Sequence, residues 1–353
     1  MSNYKILIGD CRETLKTLPA QSINTCVTSP PYFGLRDYGH EGQMGAEPTP
    51  DEFVAALVEV FREVRRVLRD DGTVWLNLGD SYARAGGWSN NNGLDGVSRE
   101  DSKRAKSNLS YTDGKSQKLA KGLKPKDLIG IPWRVAFALQ SDGWYLRQDI
   151  IWHKPNPMPE SATDRCTKAH EYIFMLSKSP KYYYDHEAVK EPSVSTHSSG
   201  NGFKRDARES YKNADGSARG NESQWSDVGG KRNRRSVWTV PTKPYKGAHF
   251  ATFPPALIEP CILAGCPEGG VVLDPFGGSG TTAGVAVSNG RNAVICELNP
   301  EYAKLIPERV VRIKERAQAE QAEIKKNSEF SHTRVFTRGG KRIGQIDIFA
   351  EAV

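Results

Sequence analysis

The chain has 353 residues, 37% of them hydrophobic and 9% aromatic, enough for one large α/β domain with insertions or a domain plus a smaller lobe. Its formal net charge of +7 favours a polyanionic partner, and no stretch approaches the roughly 20 apolar residues of a membrane span. Six cysteines (Cys11, Cys26, Cys166, Cys261, Cys266, Cys296) are scattered without a C-x-x-C pair, which argues for reduced thiols in a cytoplasmic protein and against a disulfide frame or a metal site.

Tyr4 to Ile8 reads as a strand, Gly9-Asp10-Cys11 as a turn and Arg12 to Leu18 as helical. Ile23 to Thr28 is a strand that runs into Thr28-Ser29-Pro30-Pro31-Tyr32. Pro fixes φ and donates no hydrogen bond, and the residue before each proline is pushed out of the helical region. A stiff, extended turn results, with carbonyls aimed outward and an aromatic ring free to stack. Asp51 to Leu68 has apolar residues at helical spacing, Asp70-Asp71-Gly72 ends that helix, and Thr73 to Leu78 is a strand. Strand, helix, strand implies a parallel sheet.

From Ser81 to Lys126 the pattern breaks into Gly, Asn, Ser and Lys, with cations such as Arg104 and Lys106 outnumbering acids. The segment reads either as a solvated loop or as an arm that contacts phosphates. Ile131 to Gln140 is helical, Trp144 to Trp152 and Tyr172 to Leu176 are strands around a proline-stiffened loop, and Tyr182 to Tyr184 is a candidate edge strand. Residues 190 to 240 lose the pattern again; Phe203, Tyr211, Trp225 and Trp238 are interleaved there with the cationic run Lys231-Arg232-Asn233-Arg234-Arg235. Cations with interleaved aromatics favour a nucleic-acid-facing segment over a plain solvated surface.

His249 to Pro254 leads into a helix from Pro255 to Leu263. Val271 to Asp274 is a buried strand, Pro275-Phe276-Gly277-Gly278-Ser279-Gly280-Thr281-Thr282 a glycine-rich turn, and Ala283 to Ser288 a helix. Asn292 to Cys296 is a second strand, ending in Glu297. This is the layout of a nucleotide-type cofactor site in an open α/β sheet, with an acid placed for ribose hydroxyls. The dinucleotide fingerprint G-x-G-x-x-G is absent, and no Lys follows the last glycine as a P-loop requires, so hydride transfer and phosphate binding are disfavoured. Pro300 begins a helix reaching about Lys326, and Ile343 to Phe349 is a small edge strand.

Together these residues resemble the amino-methyltransferases of DNA. Ser29-Pro30-Pro31-Tyr32 is similar to that family's catalytic tetrapeptide, and Phe276-Gly277-Gly278-Ser279-Gly280 to its S-adenosylmethionine motif. The catalytic motif comes first, an order that resembles the permuted β class, whose target-recognition region lies between the two motifs. The resemblance implies a Rossmann-like α/β methyltransferase fold: a mostly parallel sheet, an antiparallel end hairpin and an inserted DNA-recognition region. The expected layout is a catalytic half at 1–80 and 127–189, a basic insertion at 81–126, a target-recognition region at 190–245, a cofactor half at 246–326 and an extension at 327–353.

The resemblance further implies transfer of a methyl group from S-adenosyl-L-methionine to an exocyclic amino group of a base flipped out of double-stranded DNA. Ser29 and Pro30 would accept from the amino hydrogens, Pro31 would stiffen the turn and Tyr32 would stack on the base. The cofactor would be held by Asp10, Cys11, Phe250, Thr252, Phe253, Asp274, Phe276, Gly278, Gly280, Thr281, Thr282, Glu297 and Asn299, and DNA by Lys231, Arg232, Arg234, Arg235, Arg104 and Lys106. Family members with Ser at the first motif position mostly act on cytosine N4 and those with Asp on adenine N6, so N4 is favoured and N6 is the alternative. Asp37 is a weak candidate for the departing proton. A cognate restriction endonuclease is an expected partner, and the protein is expected as a monomer or homodimer. A DNA-binding protein without activity is the reading of a different class; the retained Ser29, Tyr32 and glycine turn argue against it.

Overall fold

Phe53, Leu57, Val60, Phe61, Val64 and Val67 recur at helical spacing and are all inaccessible to solvent, so Pro50–Val67 forms a helix with one apolar face. Thr49 caps it by accepting the Glu52 N–H, and Pro50 sits in the first turn, where a missing N–H costs nothing. The computed structural model describes residues 2–34, 42–83, 123–193, 231–242, 253–331, 333–338 and 341–347.

The strands in chain order are β1 (Tyr4–Ile8), β2 (Ile23–Thr28), β3 (Leu68–Leu78), β4 (Tyr145–His153), β5 (His170–Ser177), β6 (Glu191–Pro192), β7 (Lys231–Arg232), β8 (Val237–Thr239), β9 (Val271–Asp274), β10 (Asn292–Glu297), β11 (Thr333–Arg338) and β12 (Lys341–Asp347). Eight of them form one sheet in the order β1-β10-β9-β2-β3-β5-β4-β8. The first five are parallel; β5 runs antiparallel to both β3 and β4, and β8 is parallel to β4. The expected fold class, a mostly parallel methyltransferase sheet with an antiparallel end, is therefore the observed one. Helices Pro50–Val67 and Ile131–Ser141 cover one face around Phe61, Leu139 and Phe174, and helices Pro255–Gly265, Thr281–Ser288 and Ile306–Ser331 cover the other around Trp75, Ile262, Val285 and Ile306. This three-layer packing brings the carboxyl ends of the parallel strands, and the start of β5, to one edge.

Four details depart from the sequence reading. Asp70-Asp71-Gly72 does not separate helix from strand: Leu68 is already extended and pairs with Ile23, and these residues form a bulge before pairing resumes at Thr25 and Thr73. Tyr182–Tyr184 is not a strand; Tyr184 stacks on Trp75 at 6.3 Å, and the sheet edge is taken by β8. Trp238 on β8 is buried in the core instead of facing outward, so the 190–240 segment contributes packing as well as charge. The helix from Pro300 breaks after Ala303 and restarts at Ile306, because Pro307 has no N–H to continue the ladder. The strand expected near Ile343 is β12, which pairs with β11 in a separate hairpin. Among the described residues no helix is long and apolar enough to cross a membrane.

Candidate functional site

β2 and β9 lie side by side, with Thr25 opposite Val272 and Cys26 opposite Leu273. The Ser29 turn and the glycine turn therefore leave the sheet at neighbouring points, although most of the chain separates them. One carboxylate joins them. Asp274, 2% exposed, accepts from Thr28 Oγ1 at 2.6 Å, Thr282 Oγ1 at 2.6 Å and the Phe276 N–H at 3.1 Å. Burial pushes its carboxyl above the ordinary carboxylate range, and those three donors pull against the shift.

The glycine turn docks on the end of β10. The Gly277 N–H donates to the Cys296 carbonyl at 2.8 Å, and a Cβ at Gly277 would meet Ile295 Cγ2 at 1.9 Å, so the turn admits no side chain there. Gly278 and Gly280 have φ of 52° and 85°, the left-handed region that glycine adopts without strain. Glu297 is 8% exposed and receives one backbone N–H on each oxygen, Gly278 on Oε2 at 2.7 Å and Asn299 on Oε1 at 2.8 Å. Burial pushes its carboxyl up to about 7 despite those donors. Each oxygen keeps a further lone pair for a ligand hydroxyl. The hydroxyls of Ser279 and Thr281 are buried without a partner. Buried polar atoms are rarely left orphaned, so two in one turn mark a place for a polar ligand.

Ser29 is half-buried, and its hydroxyl makes no hydrogen bond among the described residues. Pro30 is buried, and Pro31 and Tyr32 are half-buried. Gly45 packs on this turn: a Cβ there would sit 2.9 Å from the Tyr32 carbonyl oxygen. The Tyr32 hydroxyl donates to Glu171 Oε2 at 2.6 Å, with Asn77 Oδ1 further off at 3.4 Å.

A family described as DNA methylase matches residues 23–308. The chain belongs to the DNA methylase family. This methylase is 48% identical over 313 residues to the type II methyltransferase M.SmaI of Serratia marcescens, covering 88% of this chain and 92% of that one. It is 48% identical over 302 residues to M.Cfr9I of Citrobacter freundii, covering 86% of each. Among solved structures, the PvuII DNA methyltransferase (cytosine-N4-specific) superposes with a TM-score of 0.56 at 19% identity, covering 90% of this chain and 93% of that one. A putative DNA modification methylase of Thermus thermophilus, complexed with S-adenosyl-L-methionine, gives a TM-score of 0.53 at 23% identity, covering 88% and 94%. Both likenesses are in fold.

Not every cofactor candidate of the methylase is free to bind. Thr282 is fully buried and its hydroxyl is spent on Asp274, whereas the Ser279 and Thr281 hydroxyls are buried without a partner. The Asp274 carboxylate is likewise engaged by three protein donors. Asp10 caps Cys11–Thr14 and is ion-paired with Arg12; burial alone would raise its carboxyl, but the Arg12 contacts hold it below the ordinary value. Asn299 caps Pro300–Ala303 through its side chain and orients Glu297 through its N–H. Phe276 is half-buried against the core, and Phe253 is buried in it. Burial pushes the Cys11 thiol up to about 12 and that of Cys26 well above its usual range, as inert core thiols require.

The cationic run is partly neutralised. Glu191 accepts from Arg232 Nε at 2.8 Å and Arg235 Nε at 2.6 Å, Arg234 lies 4.6 Å from the Trp238 ring centre, and Lys231 is exposed. Phe250, Thr252, Arg104, Lys106 and Asp37 lie outside the described residues.

Sequence reasoning named Ser279 only as a member of the glycine motif, and it did not single out Asn77, Lys154 or Glu171, which the structure gathers at the Tyr32 hydroxyl. Ser279 stands inside the glycine turn, and its hydroxyl was the available signal. Glu171 is an acid at the head of an apolar strand, where a charge demands a partner. Nothing local names that partner, because Tyr32 is 139 positions away.

Proposed function

We propose that this enzyme, an S-adenosyl-L-methionine-dependent DNA methyltransferase of the N4/N6 family, methylates the exocyclic N4 of cytosine in double-stranded DNA. The observation that carries the reading is the unpartnered Ser29 hydroxyl at the end of β2, beside the cofactor turn, in a motif that resembles the cytosine-N4 members. Asp in that position would resemble the adenine members. The motif order supports membership of the permuted β class.

When bound, S-adenosyl-L-methionine supplies a methyl group activated on a sulfonium sulfur. Glu297 would accept the ribose hydroxyls, and Ser279, Thr281 and the glycine-turn backbone would hold the amino-acid end. Asp10 and the Cys11 backbone would border the adenine. The exocyclic nitrogen is a poor nucleophile because its lone pair is delocalised into the ring. Ser29 Oγ and the Pro30 carbonyl, as acceptors, would hold its hydrogens out of the ring plane and localise that pair. Tyr32 would stack on the extracted base. The cofactor would supply the methyl group and keep its sulfur as a neutral thioether, while the base nitrogen held by Ser29 and Pro30 would gain the methyl and lose one proton to water. Catalysis is then mostly positioning.

The segment 190–245 would contribute target recognition, with Lys231 and the Arg234–Trp238 pair on its described part. The similarity to type II methyltransferases supports a cognate endonuclease as partner, acting on the same DNA in the cytoplasm.

Methyl-labelled cofactor incubated with duplex DNA, followed by digestion to nucleosides and mass analysis, is expected to give N4-methyl-2′-deoxycytidine. N6-methyl-2′-deoxyadenosine would reverse the choice of base, and unlabelled DNA would remove the assignment.

Cofactor affinity should depend on pH. Glu297 titrates near 7, and its charged form is the better acceptor for ribose hydroxyls. The carboxyl is mostly protonated at pH 6 and mostly ionised at pH 8, so the dissociation constant for S-adenosyl-L-methionine should be about tenfold weaker at pH 6. Calorimetry across that range checks it, with Glu297→Gln expected to flatten the profile. A flat wild-type profile would remove Glu297 as the ribose ligand.

A further inference from the structure

The Tyr32 ring is held by residues that the reaction has not so far used. Gly79 follows β3 directly beneath it: a Cβ there would lie 2.6 Å from Tyr32 Cε2 and 3.2 Å from Cδ2 and Cζ. Only glycine lets the ring lie where it does. At the far end of the ring, the hydroxyl donates to Glu171 Oε2 at 2.6 Å.

Glu171 is itself fixed. Asn77 Nδ2 donates to the same Oε2 at 3.1 Å and to the Tyr172 carbonyl at 3.1 Å. Lys154 Nζ is ion-paired with Oε1 and lies 4.3 Å from the centre of the Trp152 ring. The Lys154 and Glu171 side chains are 19% and 13% exposed. A charge pair mostly withdrawn from water gains little net stability, and packed apolar residues could serve stability as well. Its placement at the carboxyl edge of the sheet, with one carboxylate oxygen aimed at the motif tyrosine, calls for another reason.

We propose that Glu171 and Gly79 are positioning residues for Tyr32, setting the plane and height of its ring before the extruded base arrives. Neither touches the base. Glu171 pins the hydroxyl and Gly79 gives the ring a flat seat. Phenylalanine could stack as well as tyrosine, so the hydroxyl serves the anchoring. A ring fixed in advance needs no ordering when the base enters, which is how positioning shortens the path to the transition state. Asn77 and Lys154 keep the Glu171 carboxylate from turning away.

The proposal rests on the assignment of Tyr32 as the stacking residue of DNA methylation. Its test is single-turnover methyl transfer to duplex DNA by the full chain, comparing wild type with Y32F, E171A, the Y32F/E171A double variant, E171Q and G79A. Cofactor dissociation constants are measured alongside by calorimetry. Y32F and E171A should each slow transfer about tenfold, and the double variant should be no slower than the slower single, since both remove one contact. E171Q keeps an acceptor oxygen and should recover most of the rate lost in E171A, and G79A should be at least as slow as E171A. Cofactor affinity should stay within about twofold throughout, because the seat lies outside the glycine turn. Losses that multiply in the double variant, or wild-type rates in E171A or G79A, overturn the proposal. Y32F removes one oxygen and keeps the fold, so its rate decides even if E171A does not fold; a wild-type rate there also overturns it. A wild-type protein that transfers no methyl group to DNA would refute the assignment of the reaction instead.

Discussion

Tyr32→Ala and Ser29→Ala are each expected to lower methyl transfer to duplex DNA by about 100-fold or more, with cofactor affinity nearly unchanged in both and the unfolding midpoint nearly unchanged in Ser29→Ala. The two losses have different origins. Removing the Tyr32 ring forfeits base stacking, worth about 1–3 kcal/mol per base, along with the orientation that stacking imposes. Removing the Ser29 hydroxyl takes away one of two acceptors for the amino hydrogens, so the nitrogen lone pair stays in the ring. Neither change should disturb the core. Ser29 makes no bond among the described residues, and without Tyr32 the Glu171 carboxylate keeps Lys154 and Asn77. Label transfer from S-adenosyl-L-methionine measures the first effect, and calorimetry with urea unfolding measures the second. Wild-type transfer by both variants would sink the assignment of the motif.

Asp274→Ala should be the most damaging change for stability, and Asp274→Asn a mild one. The carboxylate gathers donors from β2, the glycine turn and helix Thr281–Ser288. Alanine strands the Thr28 hydroxyl and the Phe276 N–H and leaves Thr282 only the long contact to the Val27 carbonyl, at a cost of about 3 kcal/mol or more. Asparagine keeps the shape. Its oxygen can take the place of Oδ1 for Thr28 and Phe276, while its amide donates to Thr282, whose own hydroxyl can turn to the Val27 carbonyl at 3.4 Å. It also sheds a charge that burial disfavours. The asparagine variant should therefore stay within about 1 kcal/mol of wild type and still bind cofactor. Urea unfolding of the two variants checks this; equal stabilities would show that the network does not hold the two turns together.

Much of the fold was legible because its signals are local. Apolar periodicity marked Pro50–Val67, and apolar runs marked β2, β9 and β10 within a residue or two. The glycine turn and Glu297 were legible for the same reason: the positive φ values and the docking on Ile295 need glycine at those positions. What escaped depends on contacts between distant segments. Thr282 faces Asp274, and Trp238 faces the core, because of which strand lies beside which, and residue spacing does not record that. The cationic run is a further case, since Glu191 lies 41 positions before Arg232 and only the β6–β7 pairing brings them together. Tyr182–Tyr184 had strand composition, yet β8 takes the sheet edge that a strand there would need.

The strand order also sets a timetable for biosynthesis. β2 can pair with β3 as soon as the helix between them is made, and β5 and β4 follow on that side. The other side of β2 waits for β9, and β1 waits longer: the Asn3 N–H meets Asn292 Oδ1 across 289 positions. At about 5–20 residues per second, that wait is on the order of 15–60 s on the ribosome. For most of that interval, until β9 emerges, the nascent chain carries an open strand edge at Thr25 and Cys26, the kind of edge to which other chains add. The adjacency that unites two distant turns thus leaves the emerging polypeptide open to wrong partners until β9 has been translated.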